Sequence, residues 1–289
     1  MKEYSIDFLY CVNCRSKLEL EVFSKSSEIE EGILHCKTCK SLFPIIEKIP
    51  VLWTTFDDYL SNRRKLGGKL FSSASHKMKN FIKKSLTLQA KNLEDRTDLE
   101  ERWAKIYQTN CRSRFYSKIK NELEHLPHSK FSLEYGCSIG IISRILSNSN
   151  DISFGIDRSF SAIKIAQKNP KRNLDYFVAD LFSPIFGKQK FNLIVALNLL
   201  ELVEPLDFLK YASSQIDKGT LVISDPYDYD RGKNSVKIPL DENSLRQNLK
   251  IHGFKIQSRT SGPSKISWNL KLHSRATLNY KVDLVIANK

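Results

Sequence analysis

Ser132-Leu133-Glu134-Tyr135-Gly136-Cys137-Ser138-Ile139-Gly140 carries a short apolar strand into a glycine-bounded turn, and Ile152-Ser153-Phe154-Gly155-Ile156 ends on an acid, Asp157, 17 residues after Gly140. Strand, glycine turn, helix start, second strand and acid, in that order, is how an α/β sheet holds a nucleoside-bearing cofactor at its carboxyl edge. Gly136 and Gly140 let backbone come close to a ligand where a Cβ would clash or forbid the φ required. Asp157 stands where a carboxylate accepts hydrogen bonds from both ribose hydroxyls. Strands and helices alternate onward from Phe131, which predicts a mostly parallel sheet. Its strands fall at 131–136, 152–157, 176–180, 191–198 and 220–224, with 254–259 and 281–287 forming an antiparallel edge. A nicotinamide-binding loop reads G-x-G-x-x-G and cradles a pyrophosphate on a helix N-terminus. Gly136 to Ile142 lacks the third small residue, and no G-x-x-x-x-G-K-[ST] loop occurs, so this turn is not shaped for phosphate.

The chain has 289 residues, 41% of them hydrophobic, enough for one large domain and a small one. No run approaches the roughly 18 apolar residues of a membrane span. Residues 1–7 lack the apolar core of a signal peptide, so a cytoplasmic location is expected. The net charge of +14 is regional: residues 59–93 hold nine Lys or Arg and no acid, and residues 243–289 hold nine against Asp283 alone. Such segments suit a polyanion, an acidic partner or an anionic substrate. They equally suit ordinary solvated lysine faces.

Two C-x-x-C pairs, Cys11/Cys14 and Cys36/Cys39, are separated by 21 residues. Each pair places two thiolates on one tight knuckle, and two knuckles make a tetrahedral four-cysteine zinc site. That site is closed, so no metal catalysis is expected from it. The other cysteines, Cys111 and Cys137, stand alone and are expected to be inert.

After the knuckles, Ser41-Leu42-Phe43-Pro44-Ile45-Ile46-Glu47-Lys48-Ile49-Pro50-Val51-Leu52 reads as strand, turn, strand. Residues 6–53 thereby resemble the small zinc-binding activator subunit that partners tRNA, rRNA and release-factor methyltransferases. The resemblance implies a module that stabilises an enzyme domain in cis by covering its apolar surface. Residues 131–289 resemble the class I S-adenosylmethionine-dependent methyltransferases, whose E/D-x-G-x-G-x-G motif is matched by Glu134, Gly136, Ser138 and Gly140, with Ser138 in place of the middle glycine. The likeness implies that Glu134 contacts the methionine amine or orients the loop. It implies that residues 136–140 pass under the methionine and ribose, and that Asp157 grips the ribose. Asp180 with Leu181 would bracket the adenine, and Asn198 would lie where donor and acceptor meet. The expected architecture is therefore α/β, a seven-stranded Rossmann-like methyltransferase sheet with a small N-terminal zinc-ribbon domain built on the four cysteines. Its parts are a ribbon at 1–56, a basic linker with helical segments at 57–100, and a methyltransferase domain at 101–289. The implied cofactors are S-adenosyl-L-methionine and Zn2+.

Within the linker, Gly67-Gly68 and residues 72–75 read as flexible, and residues 77–84 read as a basic amphipathic helix with Met78, Phe81 and Ile82 on one stripe. Residues 99–126 read as one or two helices stopped by Pro127, with Trp103, Ile106, Tyr107, Phe115, Ile119 and Leu123 forming core or a lid. Methyl transfer from a sulfonium needs alignment more than a strong base. Candidate catalytic residues are Asn198 and Glu201 after the fourth strand, and Asp225 and Tyr227 in the acidic aromatic loop 225–230 after the fifth. That loop would suit a cationic or imidazole-bearing small molecule through carboxylate pairing and cation–π contact. Residues 262–285 are loosely similar to methyltransferases acting on histidine-derived small molecules. The ribbon and basic segments favour RNA as the alternative substrate, and a non-catalytic binding module is a third reading.

Overall fold

The computed structural model describes residues 1–87, 94–232 and 236–289. Residues 88–93, which end the basic 59–93 segment, lie outside the described residues. A 3-10 turn at Glu3–Phe8 leads into four antiparallel strands, β1 (Glu19–Lys25), β2 (Ile29–His35), β3 (Leu42–Ile46) and β4 (Ile49–Leu52). Three helices follow: α1 (Phe56–Leu60), α2 (Arg64–Ser73) and α3 (His76–Thr87). Next come α4 (Thr97–Thr109), α5 (Arg114–Glu124), β5 (Ser129–Tyr135), α6 (Ile141–Ser149), β6 (Asn150–Asp157), α7 (Phe160–Ala166), β7 (Leu174–Ala179) and β8 (Leu193–Leu197). The chain closes with α8 (Pro205–Gln215), β9 (Thr220–Asp225), α9 (Glu242–Ile251), β10 (Lys255–Ile256), β11 (Ile266–His273) and β12 (Ala276–Asn288).

The seven strands expected from the alternation run in the order β7-β6-β5-β8-β9-β12-β10, with β12 antiparallel to both neighbours. The sheet does not stop at seven. It has 12 strands, because β1 to β4 continue it at the β7 edge and β11 joins β12. The joining seam is parallel, Val51 opposite Val178 and Leu52 opposite Ala179. All residues of β4 and β7 are buried, as expected of apolar strands covered on both faces. Asp175 of β7 fastens the seam from the side by accepting from the Lys2 N–H at 2.8 Å and the Ser5 hydroxyl at 2.7 Å. The core runs through the seam: Leu34 and Phe43 of the ribbon share one buried cluster with Phe154 and Phe177.

The 57–100 segment differs from its expected flexibility. Gly67-Gly68 and Ser72-Ser73 lie inside α2, and Ala74 is a buried C-cap. Met78 and Ile82 on α3 are fully buried in a cluster with Phe56 and Leu60, while Lys77, Lys83 and Lys84 face solvent. The apolar stripe of α3 is thus covered by this chain's own side chains. Residues 99–126 form two helices, broken where Ser113 caps α5 by accepting from the Tyr116 N–H. α4 packs on α7 and β11, and α5 on α6 and β11, so the helices before the sheet and the late hairpin roof its carboxyl edge together. Strand β10 is only Lys255–Ile256, because a 3-10 turn at Ser258–Thr260 ends it early. Among the described residues no helix is long and apolar enough to cross a membrane.

Candidate active site

The β5–α6 turn places three residues in the left-handed region, Gly136 at φ 65°, Ser138 at 46° and Gly140 at 69°. Gly140 is needed there twice over, since a Cβ would also collide with the Tyr176 hydroxyl and stand 2.9 Å from the Ala166 Cβ. Ser138 takes a conformation that L residues adopt at a cost of about 1 kcal/mol or more. Its N–H donates to Asp157 Oδ2 at 2.8 Å, and the Ser159 N–H donates to Oδ1 at 2.8 Å. Asp157 therefore ties the first turn to the second. Burial pushes its carboxyl up, and these two N–H groups pull against that. The loop after Asp157 is held from the 57–100 segment: the buried Tyr59 hydroxyl donates to the Arg158 carbonyl at 3.0 Å and accepts from the Phe160 N–H at 3.1 Å. Beneath the turn, Glu134 is 4% exposed and accepts from the Ser143 hydroxyl. Burial pushes its carboxyl up to about 8. Cys137 is buried under the same turn, and its thiol is pushed up by that burial.

Above the turn lies a cavity of about 430 Å³. Its floor includes Glu134, Gly136, Ser138, Asp157, Asp180, Leu181 and Asn198, so seven sequence-selected positions share one wall. Asn198 is also left-handed, at φ 53°, and its Oδ1 accepts from the Ser224 hydroxyl at 3.1 Å. Asp180 Oδ1 accepts from the Phe182 N–H at 3.0 Å. The roof is aromatic: Trp103 and Tyr107 from α4, Phe115 and Tyr116 from α5, and Trp268 from β11. Tyr107 lies parallel to Trp268, ring centroids 6.2 Å apart, and Phe115 sits 5.2 Å from the same indole. The Trp268 Nε1–H is buried without a hydrogen-bond acceptor among the described residues.

Residues 133–223, from β5 to β9, match the profile of a family described as methyltransferase domain. The chain carries a methyltransferase domain. Among solved structures it is similar to the complex between the Haloferax volcanii Trm112 methyltransferase activator and a candidate methyltransferase. That match has a TM-score of 0.51 and 13% identity over 65% of this chain and 96% of the other. It is also similar to magnesium protoporphyrin IX methyltransferase from Synechocystis PCC 6803 with bound SAH, TM-score 0.47, 17% identity, 65% of this chain and 93% of that one. A third is the N-methyltransferase NodS from Bradyrhizobium japonicum WM9, TM-score 0.46, 16% identity, 62% and 98%. At these identities the likeness is one of fold. No curated protein matches the chain.

Other sequence-selected residues of the methyltransferase domain sit outside the cavity wall. Gly140 stands behind the turn, packed on Tyr176 and Ala166. Glu201 is fully buried in the 3-10 turn Leu200–Leu202. Asp225 accepts from the Leu200 N–H at 2.9 Å and the Tyr227 N–H at 2.8 Å. Tyr227, at φ 56°, donates its hydroxyl to Asp283 Oδ2 at 3.0 Å. Asp283 is in turn gripped by Arg246 at 2.6 and 3.1 Å and by the Ser264 N–H at 2.7 Å. Asp228 accepts from Tyr280 at 2.8 Å. The acidic aromatic loop is thereby knotted to α9 and β12 rather than opened toward the cavity. Conversely, Arg96, Tyr116, Arg158 and Trp268 line the cavity and were not singled out as site residues. For Trp268 a signal existed: Ile266, Trp268, Leu270 and Leu272 alternate with polar residues, the period of a half-buried strand.

The cysteines meet beside β3 and β4, where Asn13 Nδ2 of the first knuckle donates to the Thr54 carbonyl at 2.9 Å. All four Sγ atoms lie within 4.8 Å of one another, with Cys11 and Cys39 at 3.4 Å and Cys14 and Cys36 at 3.3 Å. The two knuckles are built alike. The N–H groups of Arg15 and Lys40 donate to Cys11 and Cys36 carbonyls at 2.8 and 2.9 Å, and both residues are left-handed, at φ 62° and 61°. A tetrahedral zinc with Zn–S of about 2.3 Å spaces its sulfurs by about 3.8 Å, so this cluster has the right size and donor set.

Proposed function

We propose that this S-adenosylmethionine-dependent methyltransferase methylates a small molecule bearing a ring nitrogen, imidazole among the candidates. The observation that carries the reading is the aromatic roof over the glycine turn, since a cavity of about 430 Å³ between them has room for a small flat acceptor beside the proposed donor-binding residues. The wall fits the donor. Glu134 suits its amine, Asp157 its ribose hydroxyls, Asp180 its adenine amino group, and Gly136 offers a surface without a Cβ. When bound, S-adenosylmethionine supplies a methyl group on a positively charged sulfur. The chain's own contribution is alignment and exclusion of water. Asn198, whose carbonyl is turned to Ser224, presents its amide N–H groups to ligand. The aromatic faces favour a flat or cationic ring by stacking and cation–π attraction. Zinc at Cys11, Cys14, Cys36 and Cys39 would hold the ribbon that supports β7 and take no part in the transfer.

A second reading, RNA, is favoured by the exposed Lys77, Lys83 and Lys84 on α3. Incubation of the protein with methyl-labelled S-adenosylmethionine and a native cell extract, fractionated into small molecules, RNA and protein, separates the two. Label in the small-molecule fraction is the expected result. Label confined to RNA would overturn the first reading.

A further inference from the structure

Two guanidinium groups stand on the cavity wall without a direct carboxylate contact among the described residues. Arg96 is half-buried at the head of α4, and Arg158 follows Asp157 at the mouth. Neither side chain makes a hydrogen bond or ion pair among the described residues. The contrast is Arg63 beside them, which is 2% exposed and gripped by Glu100 at 2.7 Å. Of the acids nearest to hand, Glu100 is committed to Arg63, Asp98 to Lys65 and Asp157 to two backbone N–H groups, while Glu94 is exposed to solvent. Burial, together with repulsion from Arg158 and Arg63, pushes the Arg96 pKa down and outweighs the attraction of Glu100 and Glu94. Arg96 is also the N-cap of the 13-residue helix α4, whose positive pole therefore lies at the same place. Arg158 is exposed, whereas Arg96 is held partly out of water, where an unpaired charge is costly unless something satisfies it. Guanidinium forks at a helix N-terminus match the geometry of an oxyanion.

We propose that Arg96 and Arg158 form an oxyanion subsite of the cavity, taking a carboxylate or phosphate carried by the bound ligand. This rests on the reading that a small acceptor shares the chamber with the donor. The oxyanion has two possible sources, the amino-acid carboxylate of the donor or an acidic group on the acceptor, and one experiment separates them. The full-length protein is compared with Arg96→Gln, Arg158→Gln, the double variant, and Arg172→Gln as a control for net charge on an exposed arginine elsewhere. Calorimetry measures binding of S-adenosylhomocysteine and of 5′-methylthioadenosine, which keeps the nucleoside but lacks the amino-acid end. Labelled products from the extract are passed over an anion exchanger.

If the donor carboxylate fills the subsite, the double variant binds S-adenosylhomocysteine roughly 10- to 100-fold more weakly and 5′-methylthioadenosine unchanged, as loss of charge-assisted bonds implies. If the acceptor fills it, both affinities stay put and the anion-retained label falls by about tenfold or more. Affinities and retained label both within about twofold of the Arg172→Gln control would overturn the subsite. Label appearing in RNA alone would overturn the small-molecule reading and leave the two affinities to decide. Unchanged S-adenosylhomocysteine binding would in that case overturn the subsite as well.

Discussion

Glu134 makes the donor site sensitive to pH in a direction that can be worked out. Its carboxyl, 4% exposed under the glycine turn, is pushed by burial from an ordinary 4.5 up to about 8 in the unliganded protein. At neutral pH it is then mostly protonated. A ligand amine binds best to the ionised form, so binding should expel a proton. Well below the folded pKa the affinity should fall by about one decade per pH unit, roughly 50-fold or about 2.3 kcal/mol between pH 8 and pH 6 at about 1.36 kcal/mol per decade. The assay is titration with S-adenosylhomocysteine at pH 6, 7, 8 and 9, repeated at pH 7 in buffers of different ionisation enthalpy to count the proton. Glu134→Gln should bind more weakly at pH 8 and lose the slope. The same shift acts on folding. An acid whose folded pKa is raised stabilises the folded state below its unfolded pKa, and that stability is lost as pH rises from 4.5 toward 8. The denaturation midpoint of the ligand-free protein should therefore drop between pH 5.5 and 7.5, and drop less in the Gln variant. A flat affinity from pH 6 to 8, or a slope that survives Glu134→Gln, would refute the reasoning.

Three further outcomes are expected. Asp157→Ala should cost about 3 kcal/mol of stability, because it orphans two N–H groups and releases left-handed Ser138, as well as weakening S-adenosylhomocysteine binding; chemical denaturation and calorimetry check both, and a purely binding defect would show that the acid does not hold the turn. Arg246→Met should destabilise by about 3–5 kcal/mol, since it leaves Asp283 buried without its cation; the paired Arg246→Met, Asp283→Leu variant should recover part of that in urea melts. Cys36→Ser should abolish the single equivalent of zinc measured by elemental analysis, lower the melting temperature and weaken S-adenosylhomocysteine binding through the β4–β7 seam; unchanged ligand affinity would show that the ribbon does not support the site.

The floor of the chamber was legible because backbone needs wrote it. A turn at φ 65° and 69° demands glycine, a strand end demands an acid to tie it, and the two are close in sequence. The knuckles were legible for the same reason, since both thiolate pairs are local. The roof was not. Trp268 meets Tyr107 and Phe115 from far along the chain, and nothing local distinguishes a lid stripe from a core stripe. The 225–230 loop misled because its composition suggests a cation pocket, whereas its polar groups are spent on Leu200, Asp283 and Tyr280. Arg96 and Arg158 carry no motif. Their interest comes only from missing partners, which a sequence does not record. The 12-strand sheet was illegible as well, since an Ile-Pro-Val-Leu run does not say which edge it will meet.

The parallel seam between Ile49–Leu52 and Leu174–Ala179 also orders events during synthesis. The N-terminal strands leave the ribosome first and can bring their four cysteines together before the strand they will dock against has been translated. When Leu174–Ala179 emerges, its bare edge finds a template already shaped and tethered to it. An enzyme served by a separate subunit must wait for that subunit to arrive, and its open edge is exposed to any other strand in the interval. This chain shortens that interval to the time of its own elongation, and it fixes the ratio of cover to enzyme at one.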